Sequence, residues 1–167
     1  EKGFLPEAEA LGLRFGQAEA LLETISAIAE RRGIGERLAE GSRRAAQGIG
    51  AEASQWAMHV KGLELPGYEP RSLKTMALGL AVSPRGACHN RSGAYEADFS
   101  GQVDRLQADA GRGVLVAASE DFSAVLDSLI VCKFLRKCFA DFYPEAAALT
   151  SKVTGWEFSE HDLRRVG

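Results

Sequence analysis

Two short stretches of this sequence bring together residues able to move protons, hold metals or accept charged hydrogen bonds. The first is RGACHNR, residues 85–91, in which Cys88 stands next to His89 and Arg91 follows two positions later. The second is DSLIVC, in which Asp127 precedes Cys132 by five residues. A thiolate is a soft metal ligand, an imidazole exchanges protons near neutral pH, and a carboxylate accepts from N–H donors. On an unbroken helix, five residues would place Asp127 and Cys132 roughly 140° apart around the axis, so they could not converge on one small point. Either the chain kinks near Ile130 or an extended ligand touches both. The plainer alternative makes Cys132 a core thiol and Asp127 a surface carboxylate.

The remaining candidates divide in the same way. Cys88, His89, Cys132 and Cys138 lack the C-x-x-C or H-x-x-x-H pairs usual in structural zinc sites, which speaks against zinc. His89 taken alone is a hydrogen-bonding loop residue, although loops between rigid helices often carry proton-transfer groups. Tyr68 in ELPGYEPR is either a packed turn aromatic or a phenol able to donate to a developing oxyanion. Lys61, Glu64, Glu69 and Arg71 read as salt bridges internal to a loop, and Lys133 as a solubilising charge.

These residues need helices to hold them. Between Gly16 and Gly33 the residues Ala18, Leu21, Leu22, Ile25, Ile28 and Ala29 fall on one helical face, with Gly33 as the stop. A second helix is expected from Glu36 to Gln47, with Leu38, Gly41 and Ala45 on its inner face. HVKGLELPGYEPR, with two prolines and two glycines, predicts a shaped loop without a regular element. Residues 72–82 recover helical spacing through Leu73, Met76, Ala77 and Leu80, and RGACHNR follows as a second loop. Val114 to Ala117 fits either helix or strand. Ser119 with Glu120 and Asp121 predicts a helix start, and EDFSAVLDSLIVCKFLRKCF its body. Pro144 to Thr154 reads as another helix, and Ser159 with Asp162 as a capping box opening a last one. The fold class is therefore mainly α, with irregular helical domains, long functional loops and a possible sub-boundary near residues 98–113.

Composition narrows the class of partners. The apolar fraction of 46% over 167 residues suffices for a buried core. A net charge of −3 and a pI near 5.7 supply no basic field for nucleic acid. The apolar runs are too short to cross a bilayer, so no membrane partner is expected. Three cysteines cannot all pair, which favours a reducing cytoplasm. The chain starts without methionine and its last helix opens only two turns before the end, so it reads as a fragment.

Taken together, HVKGLELPGYEPR, AVSPRGACHNR and DSLIVCKF, in this order and at these separations, resemble the tungsten-dependent aldehyde ferredoxin oxidoreductase family. The resemblance covers nearly the whole chain and implies the C-terminal helical part of such an enzyme. In the family, tungsten or occasionally molybdenum is held by two molybdopterins beside a 4Fe-4S cluster that passes electrons to ferredoxin. DSLIVC aligns with the family's late D-x-x-G-L-C motif. The resemblance thus makes Cys132 the fourth cluster ligand and Asp127 an acceptor for pterin amino nitrogens, and the five-residue spacing acquires a reason. Ile130 stands where that motif has glycine. By the same resemblance His89 hydrogen-bonds the aldehyde oxygen or moves a proton, Tyr68 lines the substrate pocket, and Arg91 contacts the pterin or its phosphate.

The function implied is oxidation of an aldehyde with water to a carboxylate. The family's pterin-binding domain, three-cysteine motif, first D-x-x-G-L motif and metal-proximal glutamate all lie upstream of the matching region. The expected partners are therefore the missing N-terminal half, ferredoxin and the aldehyde. The isolated chain is expected to bind neither tungsten nor cluster, to be inactive, and to expose apolar surface that favours self-association as a homo-oligomer. The alternative from another class is a non-catalytic helical interaction domain with core cysteines. Under it, His89, Asp127 and Cys132 would be buried among local partners.

Overall fold

The computed structural model describes residues 3–166, which form two compact units divided between Glu64 and Leu65. It is 55% helical with one two-stranded sheet, so the chain is mainly α. The division falls at Glu64/Leu65, and residues 98–113 lie within the second unit.

In the first unit, α1 (Pro6–Ala10) precedes α2 (Ala18–Ala29), α3 (Ile34–Leu38), α4 (Ser42–Ile49) and α5 (Ala51–Ser54). The amphipathic segment at 18–29 is a helix, but the chain leaves it earlier than Gly33. Arg31 takes the left-handed conformation (φ 50°) and the Arg32 amide returns to the Ala27 carbonyl at 2.9 Å. The apolar face expected to be inside is uncovered: Leu21, Leu22 and Ile25 are each more than half exposed, and Thr24 and Ala27 are the buried residues of α2. The single helix expected over 36–47 is two. Gly41 (φ 83°) breaks it, and a Cβ there would meet Glu64 Oε1 at 2.8 Å.

That contact has a purpose in the local fold. His59–Val60 (β1) and Leu63–Glu64 (β2) pair antiparallel, correcting the expectation that residues 59–71 hold no regular element. Gly62 supplies the positive φ of the connecting turn, and its N–H donates to His59 Nδ1 at 3.3 Å. The hairpin carries Glu64 to the start of α4, where its carboxylate accepts the Ser42 amide at 2.9 Å. Its own backbone amide and that of Ser42 hold the Glu64 carboxyl below the ordinary value.

The second unit comprises α6 (Lys74–Val82), α7 (Tyr95–Phe99), α8 (Gly111–Ser128), a 3₁₀ helix (Lys133–Cys138), α9 (Phe142–Thr154) and α10 (Glu160–Arg164). Helix α8 begins eight residues before Ser119, because the ambiguous run at 114–117 joins it. At its other end it stops at Ser128, short of the apolar run that suggested continuation. The Ile130 amide bonds the Asp127 carbonyl at 3.1 Å and the Val131 amide bonds the Leu126 carbonyl at 2.9 Å, with Ile130 left-handed (φ 56°). This is a Schellman turn, and it carries isoleucine at the position where glycine is ordinarily found. Val131 packs back on the core cluster of Val125, Leu126, Phe142, Ala146, Ala147 and Leu163. Phe142 meets Phe122 and Phe139 edge-on at 5.0 and 5.2 Å. Ser159 and Asp162 form the expected capping box of α10.

The start of α6 is capped from a distance. Its N-cap is Leu73, which has no acceptor, so Asp98 of α7 accepts the Thr75 and Met76 amides at 3.1 and 2.8 Å. Arg112 of α8 donates to Thr75 Oγ1 at 3.0 Å and to the Asp104 carbonyl at 2.8 Å, and pairs with Asp109 at 3.1 Å. Its guanidinium lies 4.0 Å from Asp98. Asp98 and Arg112 are both 3% exposed. None of the helices among the described residues is long and apolar enough to cross a membrane.

Two stability predictions follow from these contacts. Asp98→Ala leaves two buried helix-terminal amides unmet and removes one of the two carboxylates beside Arg112, and should lower the free energy of unfolding by about 2–4 kcal/mol in urea titration. A loss under about 1 kcal/mol would contradict the role of this network. Ile130→Gly removes a β-branched residue from the left-handed region at a side chain that is 92% exposed, and should stabilise by about 1 kcal/mol. A lowered unfolding midpoint would contradict that assignment.

Candidate active site

The five residues singled out in the sequence all lie in the second unit, on segments that α6 and α8 hold. His89 sits in the loop after α6. There the Gly86 amide bonds the Ser83 carbonyl at 3.1 Å and the Arg91 amide the Cys88 carbonyl at 3.3 Å. These turns bury Cys88, whose sulfur accepts from Arg85 Nη1 at 3.8 Å, and leave His89 half-buried. Close packing of this loop on α6 depends on Gly79, where a Cβ would stand 2.7 Å from Ser92 Oγ. Cys88 is therefore a packing residue.

Tyr68 is brought to the same place by the turn before α6. The Tyr68 amide bonds the Pro66 carbonyl at 2.7 Å, and Arg71 clamps Glu69 through two hydrogen bonds of 2.8 and 2.9 Å. Hydrogen bonds from Arg71, first from its side chain and then from its backbone, pull the Glu69 carboxyl down to about 2. The Tyr68 ring lies 5.4 Å from that of His89 and stacks on Tyr95 at 4.7 Å. Burial raises the Tyr68 phenol above its ordinary value, and the Tyr95 hydroxyl beside it adds to the shift. At neutral pH Tyr68 is protonated and can donate a hydrogen bond.

These rings border a cavity of about 160 Å³, lined further by Phe122, Ser123 and Leu126 of α8 and by Lys133, Phe134 and Arg136 of the 3₁₀ helix. Arg136 pairs with Glu96 and donates to the Lys133 carbonyl. Burial alone would lower the Arg136 guanidinium, but Glu96 and then Tyr95 outweigh it and its value is raised.

Beside this cavity stands an ionic cluster. Arg91 pairs with Asp127 Oδ2 at 2.6 Å, and Lys133 Nζ approaches Asp127 Oδ1 at 3.5 Å. Asp127 belongs to the last turn of α8, where the helix dipole disfavours a carboxylate, and the two cations offset that cost. Lys133 is accordingly part of the site and more than a solubilising charge. Past the turn at Ile130, Cys132 is exposed, as is Cys138, and all three cysteines are free. The geometry thus joins Tyr68 to His89 and Arg91 to Asp127, while Cys132, five residues after Asp127, stands at the surface. Among the described residues no group of three or more His, Cys, Asp and Glu could hold a metal ion. The reading of the cysteines as core thiols holds for Cys88 alone.

Sequence reasoning missed Tyr95, Glu96 and Arg136. Their spacing carries no motif, and a helix of five residues at 95–99 bounded by serine and glycine shows too little periodicity to be found.

The family model described as aldehyde ferredoxin oxidoreductase, domains 2 and 3, matches residues 1–167. The tungsten-containing aldehyde ferredoxin oxidoreductase of Pyrococcus furiosus is 33% identical over 174 residues, and that of Thermococcus kodakarensis likewise. Each alignment covers 100% of this chain and 28% of the relative. A further relative is an aliphatic sulfonate oxidoreductase, WOR-like subunit, from Pyrococcus furiosus. It is 32% identical over 145 residues, covering 82% of this chain and 20% of its own length. The chain therefore spans less than a third of the curated relatives it matches. Matched from end to end by the family model and by relatives at a third identity, this chain belongs to the aldehyde ferredoxin oxidoreductase family.

Proposed function

We propose that this chain forms one wall of the active site of an enzyme that oxidises an aldehyde with water to a carboxylate and delivers two electrons through a 4Fe-4S cluster to ferredoxin. The observation that carries this reading is the small cavity joining Tyr68 and His89 next to the Arg91–Asp127–Lys133 cluster. A tungsten (or molybdenum) bis-molybdopterin supplies the two-electron chemistry when bound. The donors of this chain suit part of such an assembly. Asp127 is a partly exposed acceptor for pterin N–H groups, Arg91 a donor for pterin or phosphate oxygens, and Cys132 an exposed thiol for one iron. The remaining ligands come from outside these 167 residues, and a reducing cytoplasm suits three free thiols.

His89 is the proton-handling group in this reading. As water adds to the carbonyl carbon, its imidazole accepts a proton from the water or returns one to the substrate oxygen. Tyr68, a protonated phenol at neutral pH, donates a hydrogen bond to the carbonyl oxygen and places it towards His89. Phe122 and Leu126 exclude bulk water from that side of the cavity.

In the complete enzyme, His89→Asn should lower kcat by about 10²–10⁴-fold while tungsten content per protein stays unchanged. Wild-type turnover would overturn its role. Cys132→Ala should abolish or alter the electron paramagnetic resonance signal of the cluster, and an unaltered spectrum would refute the ligand assignment. The 167-residue chain alone should contain no tungsten on elemental analysis.

A further inference from the structure

Lys133 stands out among the residues lining the cavity. Its Nζ is shielded from solvent, yet it makes no hydrogen bond among the described residues. The nearest acceptor, Asp127 Oδ1 at 3.5 Å, gives charge attraction without a well-formed hydrogen bond, and the other Asp127 oxygen is taken by Arg91 at 2.6 Å. An ammonium has three N–H groups, and leaving them unmet in a dry position is unfavourable. The neighbourhood is also out of charge balance. Arg91, Lys133 and Arg136 face Asp127 and Glu96, so three cations are set against two carboxylates. One negative charge with an acceptor oxygen would complete the site.

The cavity has room for the molecule that brings that charge. On this chain's side it offers about 160 Å³, enough for about six heavy atoms. Phe122 and Leu126 offer an apolar surface for a short alkyl group, while Lys133, His89 and Tyr68 supply polar contacts.

We propose that Lys133 is the anion anchor of this cavity: its flexible stem, which lines the cavity, turns so that Nζ leaves its shielded position and donates to the carboxylate of a short-chain acid, the product of the reaction proposed above. The inference rests on that reading for the word product, and on the cavity alone for the anion. Lys133 then makes the site prefer a carboxylate to a neutral molecule of the same shape, slows product release, and recruits acid if the reaction runs towards reduction.

The test uses the complete enzyme without turnover. Acetate and its neutral isostere acetamide are titrated, by ligand-observed NMR, against wild type, Lys133→Met and Lys133→Arg, with circular dichroism on each sample. Wild type should bind acetate at least about tenfold tighter than acetamide, the value of one charge-assisted hydrogen bond. Lys133→Met should lose that preference, and Lys133→Arg should keep most of it because the cation remains. Equal binding of the two ligands by wild type, or an undiminished preference in folded Lys133→Met, overturns the proposal. If Lys133→Met does not fold, Lys133→Gln takes its place: loss of the preference in folded Lys133→Gln supports the proposal, and an undiminished preference there, as Arg136 alone would give, overturns it. Aldehyde oxidation is assayed separately. A Lys133-dependent preference in an enzyme that oxidises no aldehyde supports the anion anchor and overturns only the reaction assignment.

Discussion

The buried carboxylate of Asp98 is the contact on which the second unit depends. Helix α6 starts at a leucine that cannot cap it, and its first amides are closed by Asp98 from α7, which lies more than twenty residues on in sequence. A lone buried carboxylate would be costly, and Arg112 at the start of α8 supplies the opposite charge while spending its other N–H groups on Thr75, Asp104 and Asp109. One ionic network thereby joins the first turns of α6 and α8 through α7. The loop after α6 carries His89 and Arg91, and the far end of α8 carries Asp127. The distance between the two halves of the site is set by this join.

At the far end of α8, termination does as much as the helix itself. The Schellman turn directs the chain away at Ile130, so that Asp127 stays on the helix while Cys132 and Lys133 lie beyond it. The turn carries an isoleucine where such turns ordinarily carry glycine, and keeps its hydrogen bonds because Val131 and Leu126 pack into the core next to it. Asp127 and Cys132 therefore do not share one unbroken helix: the chain turns at Ile130 between them. The turn also swings Lys133 back under Asp127, giving one carboxylate two cations.

Much of this was legible in the residues. The helices at 18–29, 74–82 and 142–154 follow from apolar spacing, and the capping box at Ser159 from local chemistry, because each is decided within one or two turns. The ordered motifs pointed to the family, which the full-length matches establish. Other elements were misread where a distant group decided them. Gly41 breaks a helix that composition would continue, because Glu64 on a hairpin caps the new start. The leading turns of α8 are poor in helix signals and form because Arg112 is tied into the buried network. The apolar face of α2 promised a core that this chain does not close over.

By itself the sequence determined the class of the fold, the segments that bear the chemistry and the types of residue available there, since these rest on periodicity and side-chain identity. Only the tertiary structure decided that Tyr68 and His89 share a cavity, that Arg91 and Lys133 converge on Asp127, and that Cys88 is inside while Cys132 is outside. Those outcomes depend on hydrogen bonds and ion pairs between residues 22 to 40 positions apart, such as Asp98 with Met76, Arg91 with Asp127 and Arg136 with Glu96. No local pattern along the chain encodes them.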